Sequence, residues 1–329
     1  MILRILSGIQ PSGRLHIGNY FGAIKQHLEL QFEHECFYFI ADYHALTSNP
    51  EPEEINRNSL DVAMDYLALG LDTEKVVFWR QSDLPEVTEL AWLLCCVTPV
   101  GLLQRCTTYK DKLAQGMSPN HGLLTYPVLQ AADILIFGSD LVPVGADQKQ
   151  HIEIARDIAA RFNTAYGEVF KLPQEHIIKS VAVVPGLDGR KMSKSYNNTI
   201  GIFESEQSIQ KKVARMVTDS TPVADTKDPE KCNVFALLKL VAPPQEIDHW
   251  RQRYQNGGMG YGEVKKRLAE LIIEYFKPYR QKRAKLQNNI SEIKSLLADG
   301  AERARKIARQ VLAKSRKAMG LGKNSWLMS

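Results

Sequence analysis

Two short segments combine lysine, glycine and hydroxyl side chains in patterns that suit a polyphosphate. Residues 11–19 read PSGRLHIGN and residues 191–195 read KMSKS. The first segment follows an apolar run and opens a helical pattern, so the backbone N–H groups of Gly18 and Asn19 can meet phosphate at a helix start. The second places two ammonium groups and two hydroxyls after the glycines of residues 186–189, which predicts a mobile cationic loop. Together the two segments predict ATP binding.

The elements that must position these segments follow from the apolar pattern of residues 1–185. Strand-like runs alternate with helical patterns. The strand-like runs are residues 2–6, 36–41, 76–80, 141–144 and 181–184, and the helical patterns include residues 17–28, 55–69, 87–96, 123–137 and 152–162. This order predicts an α/β fold with a doubly wound parallel, Rossmann-like sheet. Ligands of such sheets bind at the carboxyl ends of the strands.

From about residue 204 the strand pattern stops, and a C-terminal all-α region is expected. Its helical patterns are residues 208–217, 234–240, 263–276 and 307–319. The glycine-rich stretch at residues 257–262 is interpreted as a turn between two helices, because no strand precedes it as a nucleotide-binding loop would require.

Charge divides unevenly between these two regions. Residues 1–195 contain 17 Lys and Arg against 23 Asp and Glu, a net charge of −6, whereas residues 196–329 contain 25 against 14, a net charge of +11. Solvated helix faces are one explanation. A nucleic acid partner is the other, since contacts from Lys and Arg to phosphates supply much of the affinity for polyanions.

The five cysteines lack the Cys-x-x-Cys spacing of zinc sites, and they indicate neither a metal site nor a disulfide framework. The chain also lacks an apolar run of about 18 residues and an N-terminal signal pattern. We therefore expect a cytoplasmic protein without a membrane partner.

The HIGN and KMSKS segments resemble the two signatures of class I aminoacyl-tRNA synthetases. Residues 8–13, GIQPSG, resemble the bacterial tryptophanyl-tRNA synthetases among them. Further matches are DYHALT at residues 42–47, TYP at 125–127, ADIL at 132–135, VPVGADQ at 142–148 and AMGL at 318–321. The resemblance implies activation of L-tryptophan with ATP to tryptophanyl-adenylate and pyrophosphate, followed by transfer of tryptophan to the 3′ end of tRNA(Trp). It also implies a homodimer and Mg²⁺ held mainly by the ATP phosphates.

The resemblance further implies four parts of the chain. Residues 1–185 form the catalytic domain and residues 186–203 the mobile KMSKS loop. Residues 204–285 form a helical anticodon-binding domain, and residues 286–329 form C-terminal helices that pack back toward the catalytic domain.

Phosphoryl transfer is catalysed chiefly by positioning and by cations placed where negative charge grows, so lysines matter more than a general base. The resemblance assigns Lys191 and Lys194 to the β- and γ-phosphates, with Lys112 as a third candidate that can equally be a solvated surface lysine. His16 and Asn19 complete the catalytic set, with His16 holding the phosphate path or the helix start. The remaining residues implied to contact ATP are Gln10, Pro11, Ser12, Gly18, Gly145, Ala146, Asp147, Val183, Val184, Met192, Ser193 and Ser195. Val183 and Val184 can equally be ordinary residues of a strand core.

Asp133 is a carboxylate within an apolar helical pattern, where burial is costly unless the charge is satisfied. From the residues alone, a cap or salt bridge inside the protein is the favoured explanation. The resemblance implies that Asp133 accepts a hydrogen bond from the indole N–H. Other residues implied to contact tryptophan are Tyr126 and Gln148 at its ammonium group, His44 and Gln10 near its polar end, and Gln130.

Two positions depart from many members of the resembled family. Gln130 stands where methionine is common, and it either makes the indole pocket wetter or gives Asp133 a hydrogen-bonding neighbour. Ala146 stands where glutamate is frequent, which removes one carboxylate near the ribose.

Three alternatives remain open at this stage. Gln130 and Asp133, three apart on one helix face, also fit tyrosyl-tRNA synthetases. A small-molecule adenylyltransferase would share the nucleotide motifs without needing the basic helical region. A noncatalytic RNA-binding paralogue is disfavoured by the intact Gly18, Asp133, Lys191 and Lys194.

Overall fold

Apolar runs form the central strands of the sheet, as expected where helices cover both of its faces. The computed structural model describes residues 2–322 apart from residues 49, 115, 117–119, 145–148 and 178–183. The strands are β1 (Arg4–Ile9), β2 (Glu35–Ile40), β3 (Val76–Arg80), β4 (Leu141–Val144) and β5 (Gln174–Ile177). They form one sheet in the order β3-β2-β1-β4-β5, and every neighbouring pair is parallel. The predicted doubly wound sheet is confirmed.

The last strand of the described structure, Gln174–Ile177, lies outside the strand runs that the sequence predicted. Residues 181–183 of the predicted run at 181–184 are outside the described residues, and Val184 lies in a loop. The segment QEHI has little apolar character, so its pattern did not indicate a strand.

The helices around the sheet follow the predicted order, with ends shifted by a few residues. They are Ile17–Asn19, Lys25–Leu30, Asp42–Ala45, Pro52–Leu69, Pro85–Cys95, Val100–Gln104, Thr107–Ala114, His121–Ile136 and Lys149–Tyr166. A π-helical segment, Tyr20–Ile24, joins the first two, and 3₁₀ turns lie at Leu46–Ser48 and Gln81–Asp83. Pro52 and Pro85 begin their helices, where the missing N–H costs nothing.

Beyond residue 204, the part of the chain that the structure describes contains helices and no named strand. The helices are Glu206–Ala214, Asn233–Val241, Pro244–Asn256, Tyr261–Gln287 and Ile290–Ala318, with a 3₁₀ turn at Pro229–Lys231. Another 3₁₀ turn, Lys194–Tyr196, precedes this region. Residues 257–260 connect two of these helices, which confirms the interpretation of the glycine-rich stretch as a turn. Within the described ranges, no helix combines the length and the apolar character that a membrane span requires.

Successive strand residues contribute to two separate cores, one on each face of the sheet. Tyr38 and Phe78 belong to the core that continues into the C-terminal helices as far as residue 293. Phe37 and Trp79 belong to the other core, which helix Ile290–Ala318 covers together with helices from the first part of the chain. The C-terminal region is thus packed on both faces of the same sheet.

Helix Ile290–Ala318 approaches β3 most closely at Gly300. A Cβ atom there would lie 1.8 Å from the carbonyl oxygen of Phe78, which belongs to the backbone of β3 and is held by the pairing of that strand with β2. Side chains fix the same contact, because Arg303 donates to the Thr73 carbonyl at 2.7 Å and Arg309 to Glu86 at 2.9 Å.

Gly300→Ala is therefore expected to lower the free energy of unfolding by about 3 kcal/mol, because the methyl group forces the helix away from the sheet. Gly262→Ala is a matched control, since a Cβ on Gly262 meets nothing within 4 Å. That helical change is expected to be neutral or to stabilise by about 0.5–1 kcal/mol. Urea unfolding measures both. Equal stability of the two variants would contradict the close packing of Gly300.

Candidate functional site

His16 caps the short helix that follows β1. Its Nδ1 accepts from the Asn19 N–H at 3.2 Å, and its own backbone N–H donates to Asn19 Oδ1 at 3.0 Å. Burial, aided by the positive charge of Lys194, lowers the His16 pKa to about 4. The imidazole is thus neutral at physiological pH and serves the helix start, one of the two roles considered for it.

The KMSKS segment forms one arm of a tight turn. Lys191 pairs with Pro185 in an antiparallel bridge, and the Met192 N–H donates to the Val184 carbonyl at 2.9 Å. Gly189 in the turn has a φ of +82°, a conformation that glycine adopts without strain. Val184 is buried at the base of this turn, next to the lysines rather than in a strand.

Asn198 holds the turn closed, and the sequence did not reveal this role. Its Oδ1 accepts from the Ser193 N–H at 2.8 Å, while its Nδ2 donates to Asp188 Oδ1 at 2.7 Å and to the Lys191 carbonyl at 3.1 Å. Asn198 is only 2% exposed. Gly186 lies so close that a Cβ there would be 2.3 Å from the Asn198 side chain.

The structure brings the segments at residues 11–19 and 191–195 together. Lys194 Nζ donates to the Ser12 carbonyl at 2.7 Å, and the Gly18 N–H contacts the Met192 sulfur at 3.3 Å. The chain after the turn continues this contact, because Ile17 and Ile200 share a backbone hydrogen bond of 3.0 Å. An ammonium group, backbone amides and hydroxyls therefore lie together beyond the carboxyl end of β1.

Some of the other predicted ligand contacts lie near the contact between Lys194 and Ser12, and others are outside the described residues. Gln10 and Ser12 are exposed and Pro11 is buried in the loop after β1, while Lys191 and Ser195 face solvent on the KMSKS turn. Outside the described residues are Gly145, Ala146, Asp147, Gln148, Val183 and the side chain of Lys112.

A second cluster surrounds Asp133, which is 2% exposed. Asp133 Oδ2 lies 2.9 Å from His44 Nε2, and the Gln81 amide donates to both carboxylate oxygens at 2.8 Å. Burial raises the Asp133 pKa, and the hydrogen bonds from His44 and Gln81 oppose that shift. The carboxylate is thus buried, held in place from two sides and only partly satisfied.

Two elements that directly follow strands supply the partners of Asp133. His44 lies on helix Asp42–Ala45 after β2, and Gln81 lies on the turn after β3. Asp42 fixes that turn by accepting from the Ser82 N–H at 3.0 Å and from its hydroxyl at 2.5 Å. The arrangement follows the rule for parallel sheets, in which residues from several strand ends converge on one site.

Gln81, rather than Gln130, is the amide that hydrogen-bonds Asp133. Among the described hydrogen bonds of the Asp133 side chain, the partners are His44 and Gln81. A hydrogen bond from Gln130 is not among these described contacts, and the two roles considered for Gln130 stay predictions. Gln130 is partly exposed one turn earlier on the same helix, and contact with a ligand remains its predicted role. The position of Gln81 directly after β3 was the sequence signal for it.

Tyr126 lies on the same helix as Asp133, about two turns earlier and on the same side. Its hydroxyl is 2.9 Å from His151 Nε2 and 3.6 Å from the Cys106 sulfur. Burial raises the pKa of the Cys106 thiol, but hydrogen bonds from His151 and Tyr126 outweigh it and bring the pKa to about 7. The Tyr126 hydroxyl is thus held in position by the buried pair of His151 and Cys106.

No group of three or more His, Cys, Asp or Glu side chains suited to a metal ion occurs in the described part of the chain. The site therefore consists of a cationic half, built from residues 10–19 and 191–195, and a carboxylate half around Asp133.

Comparison with known proteins agrees with this arrangement. A family model described as tRNA synthetases class I (W and Y) matches residues 2–277. A tryptophan–tRNA ligase of Rhodopirellula baltica is 52% identical over 319 residues, which cover 97% of this chain and 100% of that protein. A Campylobacter jejuni tryptophanyl-tRNA synthetase solved with ADP and tryptophan is 51% identical, with a TM-score of 0.93 over 97% of this chain and 100% of that one. A tyrosyl-tRNA synthetase of Archaeoglobus fulgidus, 21% identical with a TM-score of 0.63, shares the fold.

Proposed function

The chain belongs to the class I tRNA synthetases of the tryptophan and tyrosine group, and we propose that its two half-sites bind ATP and L-tryptophan for the reaction of that family. It is an ATP-dependent ligase that activates L-tryptophan to tryptophanyl-adenylate, releases pyrophosphate and transfers tryptophan to the 3′ end of tRNA(Trp). The observation that carries the residue assignments is the contact between Lys194 and Ser12, which joins the two ATP segments.

In the activation step, the tryptophan carboxylate attacks the α-phosphorus of ATP in line, and the bond to the β-phosphate oxygen breaks. Lys191 and Lys194 lie on the KMSKS turn, where they neutralise the charge that grows on the leaving pyrophosphate. The Lys194 ammonium exchanges the Ser12 carbonyl for a phosphate oxygen when ATP binds. Ser193 and Ser195 add hydrogen bonds, and the amides of Gly18 and Asn19 line the phosphate path.

We propose that Mg²⁺ enters this site with ATP and is held mainly by the ATP phosphates. The ion would supply positive charge to the leaving pyrophosphate. Gln10, Pro11, Met192 and Val184 shape the rest of the nucleotide site, and Gly145, Ala146 and Asp147 are assigned to the ribose.

The tryptophan side of the site rests on Asp133. Its Oδ2 already accepts from both His44 and Gln81, whereas Oδ1 accepts from Gln81 alone. A carboxylate oxygen has two lone pairs, so Oδ1 retains a place for the indole N–H. Tyr126 and Gln148 are assigned to the ammonium group of the substrate, and His44, Gln10 and Gln130 complete the pocket.

Exchange of radiolabelled pyrophosphate into ATP, measured with each amino acid in turn, tests this function. Tryptophan is expected to support exchange and tyrosine to support far less, because the tyrosine side chain places no indole N–H at Asp133. Exchange with tyrosine at a comparable rate would reject the specificity, and the lack of exchange with any amino acid would reject the ATP site.

Binding of tRNA is proposed to use the basic region of residues 196–329, whose net charge is +11. Within this region, residues 204–285 are proposed to bind the anticodon. Residues 286–329 are proposed to form helices that pack back toward the catalytic domain. With about six phosphate contacts, affinity for tRNA(Trp) is expected to fall by about 10³-fold between 50 and 200 mM salt, whereas pyrophosphate exchange changes little. Filter binding across a salt series measures this. A flat curve would contradict a phosphate-binding role.

A cytoplasmic homodimer is proposed as the working form. Trp92 and Val100 on neighbouring helices are 69% and 57% exposed, and their burial between two copies of the chain would be favourable. Sedimentation of the full chain tests the assembly.

A further inference from the structure

A buried histidine contacts the tyrosine that is assigned to the substrate ammonium. His151 lies in the first turn of helix Lys149–Tyr166 and is 3% exposed. Its Nε2 lies 2.9 Å from the hydroxyl of Tyr126, which belongs to helix His121–Ile136, and the centroids of the two rings are 5.6 Å apart. Tyr126 is itself partly exposed, so His151 contacts the end of a side chain that a ligand can reach.

The chain around His151 is held in place independently of Tyr126. The side chain of Gln150 accepts from the Thr107 N–H at 2.9 Å, which ties the start of this helix to the helix that begins at Thr107. On the other side, Ile152 is fully buried in the core that also covers the Tyr126 helix. The imidazole therefore has a fixed place relative to the Tyr126 hydroxyl.

Fold stability does not account for an imidazole at position 151. Nδ1 of His151 is buried and has no hydrogen-bond partner among the residues that the structure describes. An unsatisfied buried nitrogen lowers stability, whereas an apolar side chain of similar size would not. The value of the histidine is therefore expected to lie in the other ring nitrogen, Nε2, which contacts Tyr126.

The orientation of the Tyr126 hydroxyl decides whether Tyr126 can bind an ammonium group. An ammonium offers hydrogens and no acceptor, so a hydroxyl that binds it must accept through its oxygen. The single hydrogen of that hydroxyl must then point to another acceptor. Nε2 of His151 is an acceptor at 2.9 Å when the imidazole carries its hydrogen on Nδ1, whereas the Cys106 sulfur at 3.6 Å is a weak one.

We propose that His151 is a positioning residue that accepts the hydroxyl hydrogen of Tyr126 and so turns the oxygen lone pairs toward the ammonium group of tryptophan. Without this acceptor, the hydroxyl hydrogen can point into the substrate site, where it repels the ammonium group. His151 thereby strengthens the binding of tryptophan without touching it. This inference rests on the contact proposed above between Tyr126 and the substrate ammonium.

Binding of three indole compounds to His151→Leu tests this role, by competition against radiolabelled tryptophan. Tryptamine keeps the ammonium group and lacks the carboxylate, whereas indole-3-propionate keeps the carboxylate and lacks the ammonium group. The Kd values for tryptophan and tryptamine are expected to rise about 10-fold in the variant, and that for indole-3-propionate by less than about 2-fold. Equal weakening of all three compounds, or no weakening of tryptophan, would overturn the proposal.

A conservative variant and a double-mutant cycle separate the hydrogen bond from packing. His151→Gln can place a carbonyl oxygen near the position of Nε2, so it is expected to bind tryptophan more tightly than His151→Leu. In Tyr126→Phe, which lacks the hydroxyl, His151→Leu is expected to weaken tryptophan binding by less than about 2-fold further. Equal Kd values for the two His151 variants, or additive losses in the cycle, would contradict the proposed hydrogen bond.

His27→Leu is the matched control, because His27 is another buried histidine and lacks a described hydrogen bond at either ring nitrogen. Its ring lies 5.6 Å from that of Tyr38, in the core on the other face of the sheet. This variant is expected to leave the Kd for tryptophan unchanged. A rise equal to that of His151→Leu would show a general loss of stability instead. If His151→Leu fails to fold, His151→Met takes its place in both measurements.

The wild-type protein distinguishes this inference from the function on which it rests. If wild-type protein shows no tryptophan-dependent pyrophosphate exchange, the proposed function fails. If exchange is present but the three compounds weaken equally in the His151 variant, only the role of His151 fails.

Discussion

Replacement of Lys194 with alanine is expected to slow adenylate formation by about 10²–10³-fold while tryptophan affinity hardly changes. The reason is that the negative charge on pyrophosphate grows late, as its bond to the α-phosphorus breaks. The ammonium is already held beside the first ATP segment by the Ser12 carbonyl at 2.7 Å, so little reorganisation is needed when that charge appears. Single-turnover rates and equilibrium binding of tryptophan measure the two effects separately.

Arg190→Ala is the matched control for this variant. Arg190 carries a positive charge on the same turn, but its Nε donates to Asp188 at 2.7 Å and its guanidinium lies 4.3 Å from the Tyr196 ring. The Arg190 guanidinium therefore binds residues of its own loop, and its loss is expected to have a small effect on activation. Equal losses of tryptophan affinity and activation rate in Lys194→Ala would show that the lysine is a structural residue.

The sheet was predictable where its strands carry continuous apolar runs. β2 and β3 are buried along nearly their whole length, and runs of that kind separated by helical patterns indicate a parallel sheet. β3 is an edge strand, but helix Ile290–Ala318 packs on it. β5 lies at the other edge, where four residues with few apolar side chains pair with β4 alone, so periodicity gave no sign of it.

The site was predictable where a local pattern carried the chemistry. Asp133 drew attention because a carboxylate interrupts an apolar helix, and Lys194 because two lysines lie within five residues of two serines. Asn198 belongs to no such pattern. It is a single polar residue whose partners are brought close only by tertiary packing, and asparagine is usually solvated.

The expected role of the KMSKS segment also gained detail that the sequence lacks. Its lysines and serines were assigned as a group, yet the structure separates them: Lys194 points to Ser12, the Ser193 amide is held by Asn198, and Met192 is buried against Gly18. The segment therefore binds the rest of the protein through Met192 and Ser193. Lys191 and Ser195 face solvent, where an incoming nucleotide can reach them.

Tryptophan specificity is expected to weaken in Asp133→Asn, with the ratio of activation efficiencies for tryptophan over tyrosine and phenylalanine falling by about 10-fold. The amide still offers an oxygen to the indole N–H, but it lacks the charge that strengthens the bond. The fold should tolerate the change, because Gln81 Oε1 is buried without a partner in the described structure and can accept from the new amide after the Gln81 side chain rotates. ATP affinity is expected to be nearly intact, since the cationic half-site is separate.

Gln130→Met is the control for that change, because it alters the same helix one turn earlier without touching the hydrogen bonds of Asp133. If Gln130 only contacts the ligand, its loss changes tryptophan affinity and leaves His44 and Gln81 holding Asp133 as before. Pyrophosphate exchange with the three aromatic amino acids, together with thermal unfolding of each variant, separates these effects. An unchanged tryptophan-to-tyrosine ratio in a folded Asp133→Asn protein would assign Asp133 to the internal pairing with His44 and Gln81 alone. A reduced tryptophan-to-tyrosine ratio in Asp133→Asn, together with an unchanged ratio in Gln130→Met, would assign the selection of tryptophan to Asp133. The oxygen responsible would then be Oδ1, which accepts a hydrogen bond from Gln81 alone and can accept another from the indole N–H.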